Sequence, residues 1–142
     1  MNPVDTQIVT RKAKFILEDL KRLDEYAKLT IPEYLNSFEA EMLTQRLLER
    51  ILTRVIDINY HILSHKHQVI PADYTDSFVQ MMKAGEINGE LMEQMKPSAG
   101  LRNALSHEYD EIDSAKVYEG MKNVLKYVKI YLKHVLDKNP SL

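Results

Sequence analysis

Apolar residues recur every three or four positions along almost the whole chain, and the alternation of a half-buried strand is absent. The pattern predicts a first long helix from about Asp5, an N-cap by residue type, to about Leu29. Ile8, Ala13, Ile16, Leu20, Leu23 and Ala27 lie in line along it, and Pro32 is its expected stop. A short piece, Pro32 to Phe38, leads into a longer helix from about Glu39 to His65. There Leu48, Ile51, Val55, Ile58 and Ile62 keep a heptad-like rhythm, widened by Leu43, Leu47 and Leu52. Pro71 and Asp73 interrupt the pattern. Asp73 is placed to cap a short helix through Met82 that ends at Gly85, and Asn88 to cap another to about Met95, broken by Pro97. Pro97 or Ser98 opens a further helix, closed by the acidic run 110–113. Asp113 or Ser114 caps the last long helix, with Val117, Met121, Val124, Val128, Tyr131 and Val135 as its stripe. These elements imply an all-α, up-and-down bundle of three long helices plus short ones, in a single domain spanning 1–142.

Composition narrows the function classes. The chain has 142 residues, no cysteine and a formal net charge of −2. A disulfide framework and a thiolate metal site are therefore excluded. A constitutive nucleic-acid binder normally shows a basic excess, so contact with RNA would have to be local. No apolar run approaches the roughly 20 residues of a membrane span, and the N-terminus lacks a basic-then-apolar signal pattern. A cytoplasmic protein without a membrane partner is expected. Four glycines and five prolines fit few turns and long regular elements.

The densest chemistry lies in Arg102-Asn-Ala-Leu-Ser-His107-Glu-Tyr109. Wound as a helix, this stretch gathers Leu101, Ala104, Leu105 and the stem of Glu108 on one side. Arg102, Asn103, Ser106, His107 and Tyr109 fill the remaining arc. The first side is expected to dock on the core and the second to be displayed. Cleaving a phosphodiester requires proton removal, proton return and positive charge at phosphorus. In RNA the 2′-hydroxyl can supply the nucleophile, so no metal is required and no cofactor is expected. Arg102 suits the charge role, because guanidinium is permanently protonated and grips phosphate as a fork. His107 suits proton transfer. Asn103, one turn before it, is placed to orient it or to bind a phosphate oxygen. One histidine per chain gives a base or an acid; a symmetric dimer gives both. The same residue types also make an ordinary solvated helix face, and spacing alone does not separate the two.

The whole chain resembles the HepT family of toxins within the HEPN superfamily (higher eukaryotes and prokaryotes nucleotide-binding). The family's motif is Arg, four residues, His, one residue, Tyr, with a polar residue after the arginine. Arg102, Asn103, His107 and Tyr109 fill it. Ala99-Gly-Leu before the arginine and Asp110 after the tyrosine also match, as does Asp57-Ile-Asn-Tyr-His61 in the central helix. The resemblance implies a HEPN helical bundle acting as a homodimer, with the motif at the cleft between subunits. It implies a metal-independent endoribonuclease with Arg102 and His107 as catalytic pair. It also implies control by an MntA-like nucleotidyltransferase antitoxin that transfers AMP to Tyr109. The alternative is a catalytically silent HEPN module binding a nucleotide or a protein in the same groove, or a plain helical interaction protein.

Other groups have two readings each. Asp57 either faces the motif helix and pairs with Arg102 or His107, or pairs locally with Arg54 or His61. His61, His65 and His67 either share a metal or sit favourably at a helix C-terminus. Met81, Met82, Met92 and Met95 pack in the core or form an adaptable contact surface. Tyr118, Tyr127 and Tyr131 are expected to pack. Lys122, Lys126, Lys129 and Lys133 make either a solvated side of the last helix or a guide for RNA.

Overall fold

The computed structural model describes residues 4–107 and 112–140, with His107 described by its backbone alone. Seven helices make up the described residues: α1 Thr6–Ala27, α2 Ile31–Leu35, α3 Phe38–Lys66, α4 Tyr74–Lys83, α5 Gly89–Met95, α6 Pro97–His107 and α7 Ser114–Lys138. The starts follow from side chains able to accept backbone N–H groups. Asp5 caps α1, Asp73 caps α4, Asn88 caps α5 and Asp113 caps α7, each satisfying donors of the first turn. Pro32, however, does not stop α1. The helix ends at Ala27, and Thr30 opens α2 through a capping box with Glu33, so the proline sits in the first turn of α2, where its missing N–H costs nothing. Ser37 supplies the cap of α3.

Contacts along the seams fix the directions. Asp5 meets His61, Lys12 meets Asp57 and Asp19 meets Arg54, so α1 runs antiparallel to α3. Tyr131 meets Val55 and Lys66 meets Lys138, so α7 runs in the same direction as α3. The three short helices α4, α5 and α6 carry the chain back between them. The core lies where the stripes of α1, α3 and α7 meet. Ile16, Leu20, Leu48, Ile51, Ile58, Ile62, Met121, Val128 and Tyr131 are sealed in it, with Phe78, Met81 and Met95 added by the short helices. Val9 rather than Ile8 is the inward residue at the start of α1, and Leu43 on α3 is exposed. The methionines are largely core. Met81, Met92 and Met95 are buried and Met82 packs against them.

Two buried polar devices bolt the helices together. Tyr131 donates its hydroxyl proton to Asn59 Oδ1 at 2.5 Å, Asn59 Nδ2 donates to Ser77 Oγ at 3.0 Å, and Ser77 Oγ donates to the Tyr74 carbonyl at 2.6 Å. Complete burial pushes the Tyr131 phenol well above its ordinary pKa, so it remains a donor. At the far end Glu86, 2 % exposed, accepts from Lys66 at 2.8 Å, from His67 at 2.9 Å and from Asn139 at 2.8 Å. Burial alone would raise its carboxyl pKa, but these hydrogen bonds more than offset that, and the pKa lies below the usual value. No helix among the described residues is long and apolar enough to cross a membrane.

Candidate active site

The short helix α6 rests on α3 through its polar side chains. Arg102 Nε donates to Thr53 Oγ1 at 3.2 Å, and Ser106 Oγ donates to Glu49 Oε2 at 3.0 Å. The Arg102 guanidinium carbon stands 5.2 Å from the centre of the Tyr74 ring, a cation–π contact. Tyr74 in turn meets Tyr60 edge-on at 6.0 Å. Arg102 is thereby held by a hydroxyl at Nε and an aromatic ring at its plane, which leaves the Nη edge for a bidentate partner.

An open cleft of about 390 Å³ lies beside Arg102, lined by Tyr60, Ala72, Asp73, Tyr74, Arg102 and Asn103. Asn103 sits exposed on its rim. Partial burial, then the neighbouring Tyr74, Asp73 and Asp76, push the Tyr60 phenol above its ordinary value. It therefore offers a hydroxyl, not a phenolate, to whatever enters. The cleft has the parts that recognise a nucleotide phosphate: a fixed guanidinium, an amide and two aromatic rings.

The expected division of the motif helix holds only in part. Ala99 is buried and Leu101 and Leu105 pack against the core, but Ala104 is exposed. Leu101, Ala104 and Leu105 line a separate apolar cavity of about 650 Å³ between α6 and α7, together with Pro97, Val117 and Val124. At one point the two helices close on each other: Leu101 packs so tightly on Gly120 that a Cβ there would lie 2.6 Å from Leu101 Cδ2. Arg102 and Ser106, expected to be displayed, are turned instead toward α3.

Asp57 meets neither Arg102 nor its local alternatives Arg54 and His61, and a pairing with the His107 side chain lies outside the described residues. Asp57 forms an ion pair with Lys12 at 3.3 Å across the α1–α3 seam. Arg54 goes to Asp19 instead, and His61 Nε2 accepts the Asp5 backbone N–H at 3.0 Å. Burial first, then His65, lowers the His61 pKa, consistent with a neutral ring accepting at Nε2. His65 bonds to the His61 carbonyl and His67 to Glu86, so each histidine of the group has a structural partner. On α7, Lys122 donates to the Ala27 carbonyl at 2.8 Å, closing the end of α1, and Lys133 pairs with Asp137. His107 closes α6, but its side chain, and Tyr109 entirely, lie outside the described residues. Thr53 and Tyr74 had no signal in the sequence, since their link to Arg102 is purely tertiary, and Tyr60, within the matched Asp57–His61 stretch, was not singled out. For the arginines of α3 a signal was present: Arg46, Arg50 and Arg54 recur every fourth residue.

Residues 16–135 match the family of ribonuclease HepT-like proteins. The chain belongs to the HepT-like family. A HepT-like relative described as a tRNA nuclease HepT, from Aphanizomenon flos-aquae (strain 2012/KM1/D3), is 33% identical over 135 residues, 95% of this chain and 92% of the relative. Among solved structures, the tri-AMPylated Shewanella oneidensis HEPN toxin in complex with its MNT antitoxin superposes with a TM-score of 0.81. It shares 23% identity, covering 92% of this chain and 97% of that one. YutE from Bacillus subtilis, a cytosolic protein of unknown function, superposes with a TM-score of 0.85 at 18% identity, covering 100% of this chain and 99% of that one. These likenesses establish the HEPN fold of the HepT-like chain.

Proposed function

We propose that this HepT-like chain is the toxin of a toxin–antitoxin pair, a metal-independent endoribonuclease acting at a cleft between two copies of itself. The observation that carries the reading is the Arg102 guanidinium, set by Thr53 and Tyr74 at the wall of an open cleft, on the helix that His107 ends. Family membership and the tRNA nuclease relative support RNA, with tRNA the favoured class.

The chemistry balances without a metal because RNA carries its own nucleophile. A neutral His107 takes the 2′-hydroxyl proton as that oxygen attacks the adjacent phosphorus. The 5′-oxygen leaves and takes a proton from the protonated His107 of the second copy. Arg102 forks onto the non-bridging oxygens as their charge grows, and Asn103 orients the phosphate or the imidazole. The products are a 2′,3′-cyclic phosphate and a 5′-hydroxyl, and RNA methylated at the 2′-oxygen is inert. Tyr109 is the control point. AMP transferred to its phenol by an MntA-like nucleotidyltransferase places bulk and a negative phosphodiester where RNA would lie. The AMPylated HEPN toxin held by its MNT antitoxin is the precedent in this fold.

Expression of the native chain should arrest growth, and Arg102→Ala or His107→Ala should each relieve the arrest while retaining the helical circular-dichroism spectrum. If both folded variants arrest growth as strongly as the native chain, the ribonuclease reading fails and a binding module is the better account. Tyr109→Phe should remain toxic but no longer accept AMP from the partner.

A further inference from the structure

Four arginines gather on the α1–α3 face beside the motif helix. Asp19, fully buried on α1, lies 3.0 Å from Arg22 Nη1, 3.0 Å from Arg50 Nε and 3.0 Å from Arg54 Nη1. One guanidinium is enough to neutralise a buried carboxylate. The second and third leave two surplus positive charges gathered around one site, in a chain whose net charge is −2. Like charges held this close together raise the local positive potential and favour an incoming anion. Each guanidinium engages Asp19 through one nitrogen, so its remaining N–H groups stay available for other acceptors. Asp19 thus acts as an anchor that orients three forks toward solvent. Their side chains are 61%, 40% and 23% exposed, in the order Arg22, Arg50, Arg54.

Arg46 extends the row one turn further along α3 and pairs with Glu49. Arg46, Arg50 and Arg54 therefore step along the helix by about 6 Å each, comparable with the separation of neighbouring phosphates in a single strand. Phe15 lies under the Arg54 guanidinium at 4.9 Å, an aromatic ring set among the cations. The row borders the motif. Thr53, which holds Arg102, lies between Arg50 and Arg54 in sequence, and Glu49 holds Ser106.

We infer that Arg22, Arg46, Arg50 and Arg54 form a phosphate ledge that binds the backbone of a single-stranded RNA segment leading to Arg102. The inference rests on RNA being the substrate, and its test is built on binding rather than cleavage. A fluorescein-labelled oligouridylate is titrated with the His107→Ala chain over a range of salt concentrations. Adding Arg22→Gln and Arg50→Gln leaves Arg54 on Asp19, and thermal unfolding verifies the fold; the single Arg50→Gln carries the test if the pair unfolds. The affinity should fall at least about ten-fold at low salt. The slope of log K against log salt should shrink by about 0.7 for each phosphate that is no longer neutralised. Arg22→Lys with Arg50→Lys should keep most of that slope.

The ledge is overturned by an unchanged slope, by a parent chain that does not bind oligouridylate, or by an equal loss in Lys126→Gln with Lys129→Gln. A chain that binds through the ledge yet cuts no RNA keeps the ledge and loses the ribonuclease reading. A chain that cuts RNA with binding indifferent to Arg22 and Arg50 does the reverse.

Discussion

Arg102 illustrates how much of a guanidinium's value is lost when only its charge is kept. Its Nε is committed to Thr53 and its plane to Tyr74 at the wall of the cleft, which leaves the Nη groups for other acceptors. Lysine has neither the plane nor a second donor nitrogen to make a fork. Arg102→Lys should therefore lower kcat/KM for RNA cleavage by about a hundred-fold or more, with the melting temperature nearly unchanged. Thr53→Val keeps the shape and removes the acceptor, so kcat should drop by roughly ten-fold and Thr53→Ser should restore most of it. A kcat unaffected by Thr53→Val would show that this contact does not aim the guanidinium. Gln68 makes the opposite point about stability. It is the one non-glycine residue described with positive φ, at 54°, where the chain leaves α3. The left-handed conformation costs an L-residue about 1 kcal/mol, partly recovered as Gln68 Nε2 donates to the His65 carbonyl. Gln68→Gly should raise stability by about 0.5 kcal/mol, read as a small rise in melting temperature.

The helices themselves were the most legible part of the chain. Four of the caps, Asp5, Asp73, Asn88 and Asp113, act through local hydrogen bonds that residue type and position reveal. Pro32 misled because a proline is equally at home in a helix's first turn and just beyond its end, and only the Thr30–Glu33 box decides between them. The orientation of α6 was not legible for a different reason. Its apolar positions are real, but which neighbour covers them depends on Gly120 letting Leu101 close on α7 at one point. Likewise nothing in the spacing ties Glu86 to the ends of α3 and α7, since its partners lie far apart in sequence. That clasp makes a clear prediction. Its carboxyl pKa is lowered in the fold from an ordinary 4.5. Its contribution is therefore complete above about pH 4.5 and is lost as pH falls through the lower native value. Glu86→Gln should cost about 1–3 kcal/mol at neutral pH, toward the lower end because Lys66 and His67 retain access to water. In thermal unfolding against pH, the two proteins should converge in acid. A constant gap down to the lowest pH would mean that the clasp is held by shape and not by charge.

In the whole molecule the direction of the helices bears on how a site could be completed. With α3 and α7 running the same way, α6 lies on the surface of α3, and the cleft beside Arg102 is open. Each chain has one motif histidine, whereas cleavage through the 2′-oxygen needs a base and an acid, and the proposed mechanism takes both from histidine. A two-fold axis that brings two α6 helices face to face supplies both, with a ledge of arginines entering from each side. The dependence of activity on composition follows from this arrangement. Native and His107→Ala chains are mixed, unfolded and refolded together, so that dimers assemble at random. Only dimers with two native chains contain both base and acid. Activity should therefore fall as the square of the native fraction, while total RNA binding stays constant. A linear fall would mean that one chain performs both proton transfers alone, and the shared site would have to be abandoned. Dilution of the native protein provides the companion measurement: activity per chain should drop together with the dimer population followed by light scattering.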